Sequence, residues 1–143
     1  MTDEFHRQLR GRLIGIRHWQ QLDDLWQVLR DAQQESDWYV YQVGQPPPQT
    51  PATTEQLHQF IDHIDQLLHT EHDEDYCGIV YADKPQAPAF IKIYDPNNLG
   101  MVCGSSKNPP LPGWILSKTP PVDLADEMPQ PQNRIRWWRR LFQ

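Results

Sequence analysis

The sequence predicts an α+β domain: a small, mainly antiparallel sheet of about four strands, with two or three helices packed on one face. Two observations carry this. Three β-branched and aromatic runs, residues 77–82, 89–94 and 113–118, follow one another without a helical pattern between them, each bounded by Gly, Pro, Asp or Asn. Before them stand two stretches whose apolar residues recur at helical spacing, and these need a sheet to pack on. The chain has 143 residues, enough for one domain with a core that folds without staples.

In the first segment Phe5, Leu9, Leu13 and Ile16 fall about a helical turn apart. Gly11 and Gly15 interrupt it, each costing about 1 kcal/mol relative to alanine in a helix, so a short helix that kinks or breaks is expected. From His18 to about Ser36, Leu22, Leu25, Trp26, Leu29 and Ala32 form one face of an amphipathic helix, with Asp23, Asp24, Gln27, Arg30 and Asp31 mostly opposite. Residues 38–43, Trp-Tyr-Val-Tyr-Gln-Val, read as a first strand closed by Gly44.

Three consecutive prolines at 46–48 predict an extended connector. Thr53 and Gln56 form a capping box, and the helix after it runs to about Thr70 with Leu57, Phe60, Ile61, Ile64, Leu67 and Leu68 as its apolar face. The short, proline-stiffened link at 84–88 suits an antiparallel pairing of the strands on either side. Residues 1–120 are read as the domain, and residues 121–143 as a proline-containing linker followed by a basic aromatic tail.

Charge is segregated. Four arginines against two acids give residues 1–17 a net +2, four arginines give residues 129–143 a net +4, and the middle holds 17 acids against 5 bases within a total of -6. Basic ends on an acidic body disfavour nucleic acid, which that body repels. Two cysteines make no disulfide framework. No run reaches the length of a membrane span and the first residues do not read as a signal peptide, so the expected setting is cytoplasmic.

Three stretches could carry chemistry. On the third helix His58, Asp62, Asp65, His69 and His72 share one stripe. Imidazole and carboxylate suit a divalent ion, yet the stripe lies opposite the apolar face and is read as solvated; no metal and no cofactor is implied. The loop 95–112 contains Cys103, Gly104, Ser105, Ser106 and Lys107, groups able to wrap an anion or supply a nucleophile, though without P-loop spacing. It supports the alternative of a small-molecule, anion or metal-binding enzyme, against the simpler reading of a short extra strand with a turn.

The third stretch is the tail. Trp137, Trp138 and Phe142 are costly to expose, and Arg134, Arg136, Arg139 and Arg140 interleave with them. Such residues either fold back on the acidic body or meet a partner. Arginine with tryptophan is the composition of protein-interface hot spots, and the favoured function is a non-catalytic interaction or accessory protein that docks a protein partner through this tail. Peripheral contact with anionic lipid is the weaker variant.

Overall fold

A computed structural model of the chain describes residues 3–31, 36–72, 74–97, 111–124, 137, 138 and 140–142. Three helices, α1 (Glu4–Arg10), α2 (Trp19–Arg30) and α3 (Thr54–Glu71), and five strands, β1 (Ile14–Ile16), β2 (Tyr39–Gln42), β3 (Val80–Ala82), β4 (Phe90–Ile93) and β5 (Trp114–Ser117), make up the main architecture. Trp137, Trp138 and Arg140–Phe142 add helical residues at the C-terminus. The strands form one antiparallel sheet in the order β1-β3-β4-β5-β2. No helix among the described residues is long and apolar enough to cross a membrane.

The sheet has five strands rather than about four, and the addition is β1. The first segment starts as a helix capped by the Asp3 carboxylate, which accepts from the His6 amide at 2.9 Å. It breaks at Gly11 and continues as a strand, with Ile14 opposite Ala82 and Ile16 opposite Val80. Gly15 suits that place because the Tyr81 ring lies over it, 3.2 Å from where a Cβ would sit. Past Ile16 the pairing shifts at Gly78, whose φ of +71° few other residues adopt. The amides of Cys77 and Gly78 there donate to the carbonyls of Arg17 and Ile16.

Both faces of the sheet are covered, because side chains alternate across it. Val40, Ile91, Trp114 and Leu116 point to α2 and α3 and share a core with Leu22, Leu25, Phe60, Ile64 and Leu68. Tyr41, Phe90 and Ile115 point the other way, where α1 brings Phe5 and Leu9, and Leu124 joins them. The expected single helical face is thus α2 and α3, while α1 lies behind. Two-sided burial explains why every residue of β5 is buried and why its sequence reads as a continuous apolar run instead of an alternating one.

Local chemistry sets the element ends. Thr53 Oγ1 accepts from the Gln56 amide while Gln56 Oε1 accepts from the Thr53 amide, the reciprocal box expected from sequence. The Gln21 carbonyl oxygen does similar duty at the start of α2, accepting from the amides of Arg17 and His18. The hairpin between β3 and β4 is pinned by Asp83, whose Oδ1 accepts from the amides of Lys84, Ala89 and Phe90. Past β5 the chain straps across the back of the sheet, where the Leu124 amide donates to the Tyr41 hydroxyl at 2.8 Å.

Candidate functional site

The tail tryptophans sit in the domain's own core. Trp137 and Trp138 are 3% and 4% exposed and belong to the same cluster as α2, α3 and the sheet. The Trp137 ring stacks on His63 of α3 with centroids 4.3 Å apart and planes 14° apart. It also approaches Phe60 and Trp114 at 6.0 and 6.1 Å. Trp138 meets Phe60 edge-on and Phe142 at 4.2 Å. Gln56, near the start of α3, donates its side-chain amide to the Leu141 carbonyl. The segment therefore closes over the end of α3 as a clamp.

Burial and the nearby Arg140 guanidinium hold the His63 imidazole below its usual pKa, which favours the neutral ring where it stacks. Arg140 is exposed; Arg134, Arg136 and Arg139 lie outside the described residues. The proline segment belongs to the same neighbourhood: Pro46, Pro48 and Pro51 line a hollow of about 240 Å³ with Trp138 and Phe142.

The helix-3 stripe stays partly solvated, with Asp62 and His69 exposed and His58, Asp65 and His72 half-buried. It forms the seam with α2. Asp62 pairs with Arg30, Asp65 accepts from the Trp26 indole at 3.1 Å, and His69 stacks on Trp19 at 4.1 Å. His72 meets Trp19 and Tyr76 edge-on. Spacing showed that these residues share a line but not that a second helix faces it. Asp23, Asp65 and His69 bring one ligand atom each within 4.8 Å of one another, a donor set a divalent ion accepts. Asp65 is already engaged by Trp26, and Asp23 and His69 are exposed.

Of the two cysteines, Cys77 is free and buried, with its thiol pKa raised by that burial, which suits a core residue better than a nucleophile. The ligand-loop candidates Cys103, Gly104, Ser105, Ser106 and Lys107 lie outside the described residues. At the loop's start Asp95 is buried and accepts from the Asn97 amide. On the back of the sheet Lys92 sits between Tyr81 and Tyr94, 5.5 and 5.4 Å from their ring centroids, and burial lowers its pKa.

A surface that sequence reasoning missed lies along β1. This strand is one of the sheet's two edges and, among the described residues, pairs with β3 alone. Between it and α2 runs an open groove of about 650 Å³, lined by Ile14, Ile16, Leu25 and Val28, with Gln21, Asp24, Pro85 and Gln86 around it. Ile14 is 55% and Val28 39% exposed, and only Tyr76 joins them as an exposed large hydrophobic among the described residues. Arg10, Arg12 and Arg17 lie exposed around the strand. The signal was present as Leu13-Ile14-Gly15-Ile16 between arginines, but the spacing from Phe5 onward matched a helix as well. Comparison with protein-family models, curated proteins and solved structures found no match to this chain.

Proposed function

We propose that the chain is a non-catalytic interaction domain, working in the cytoplasm, that docks a protein partner along the groove beside β1. The observation that carries this reading is the pairing of Ile14 and Val28, both exposed, across one open groove at the end of the sheet. An edge strand beside an apolar groove is a recurring place for protein recognition, because backbone hydrogen bonds and side-chain burial are available together. The tail supports the reading from the other direction. Docking through Trp137 and Trp138 requires lifting them off Phe60, His63 and Trp114, whereas Ile14 and Val28 need no rearrangement.

In this reading the C-terminal segment has a structural role for its aromatic residues, and Arg140 adds charge to the surface around it. Site-specific photo-crosslinking tests the reading. A photoreactive residue at position 14 or 28 is expected to trap the same protein from cells. One at Gln59, exposed on α3, is expected to trap it at background level. Equal trapping from Gln59, or trapping confined to position 140, overturns the assignment.

A further inference from the structure

Resting on the docking reading above, we propose that the partner presents an extended, acidic-ended segment that adds to β1 as a sixth strand. Backbone geometry comes first. Among the described residues β1 pairs with β3 on one side only, and the groove runs between β1 and α2; an edge strand turns part of its backbone hydrogen-bonding capacity outward. A strand laid there sends every second side chain toward the α2 side. It buries those side chains against Ile14 and Val28.

Charge then selects the occupant. Arg12 and Arg17 flank the three residues of β1, are exposed, and make no ion pair among the described residues; Arg7, by contrast, is held by Glu4. They stand five residues apart, about 16 Å along an extended chain, so a partner strand of about six residues with a carboxylate at each end reaches both. The groove's own carboxylate, Asp24, already accepts from the Gln20 side-chain amide. A second copy of this chain is the poorer occupant. Antiparallel β1–β1 pairing gathers the arginines of both copies at one seam, and charged edges of this kind are how sheets avoid self-association.

The test titrates the full chain with three synthetic peptides followed by backbone amide shifts. One carries valine at alternate positions and Asp or Glu at both ends, one has lysine at the ends, and one keeps the acids but has a central proline. The acidic peptide is expected to shift residues 12–17 and Val28 and to bind at least tenfold tighter than the lysine peptide. The proline peptide is expected to bind weakly, because it cannot complete the hydrogen-bonded ladder. Arg12→Glu with Arg17→Glu is expected to reverse the charge preference while leaving the thermal melt in place, since both residues are exposed.

Binding indifferent to peptide charge overturns the proposal. So does a dimer that sediments as such without peptide and is dispersed by Ile14→Lys. If crosslinking from positions 14 and 28 traps a partner while no peptide shifts β1, the docking surface stands and the acidic-strand chemistry fails. If neither works, both readings fall together.

Discussion

Replacing Trp137 with alanine is expected to destabilise the whole domain by about 3–5 kcal/mol, the range for truncating a large aromatic side chain in a packed core. For a chain of this size that lowers the melting temperature by roughly 6–20 °C. The side chain is 3% exposed and its ring rests on His63, Phe60 and Trp114, so its loss opens a hole among residues that hold α3 to the sheet. The loss has a ceiling. Trp137 anchors this helical segment, which can lift away as a unit once the ring is gone. The cost then equals the docking free energy of the segment, including exposure of Phe60 and Trp114. A thermal or urea melt reads this directly. An unchanged melt would mean that the tryptophans are spectators of the fold and free to serve a partner.

The second large effect is at Trp114 on β5, where packing and a buried hydrogen bond coincide. Its indole donates to the side-chain Oε1 of Gln42 on the neighbouring strand at 2.9 Å, and both residues are fully buried. Trp114→Ala removes the ring beneath Trp137 and is expected to cost about 3–5 kcal/mol. Trp114→Phe keeps most of the apolar volume but takes away the donor, and the loss expected from that hydrogen bond is about 1–3 kcal/mol. The difference between the two variants separates packing from hydrogen bonding. Because Trp114 and Trp137 are in contact, combining Trp114→Ala with Trp137→Ala is expected to fall short of additivity. Full additivity in a urea melt would contradict the shared core.

Much of this architecture was readable because its determinants are local. Thr53 and Gln56 announce α3 by their reciprocal cap, and its six apolar positions are buried as their spacing requires. β3 and β4 pair antiparallel because the short link with Pro and Asp between them leaves no room for a crossover. β1 was hidden for a physical reason. Three residues cannot display an alternation strong enough to compete with Phe5, Leu9 and Leu13 at helical intervals, and the strand exists because β3 offers it a partner.

The same limit explains the sites. Periodicity aligned Asp62, Asp65 and His69 correctly, but only the fold places Arg30, Trp26 and Trp19 opposite them. For the tail, composition showed that Trp137 and Trp138 had to be covered. The cover is the α3 face bearing Phe60 and His63, far away in sequence. The groove beside β1 was masked in the sequence, since it joins a strand hidden by helical spacing to Val28, an apolar residue on the polar side of α2.

Amide hydrogen exchange on the full chain tests most directly which surface is closed and which is open. The expected result is slow exchange at Trp137 and Trp138, comparable with Ile91–Ile93 in the centre of the sheet, and early exchange at the β1 edge around Ile14–Ile16. Free exchange at Trp137 and Trp138, with β1 as protected as the central strands, would contradict it. The basic tail would then be the surface offered to a partner.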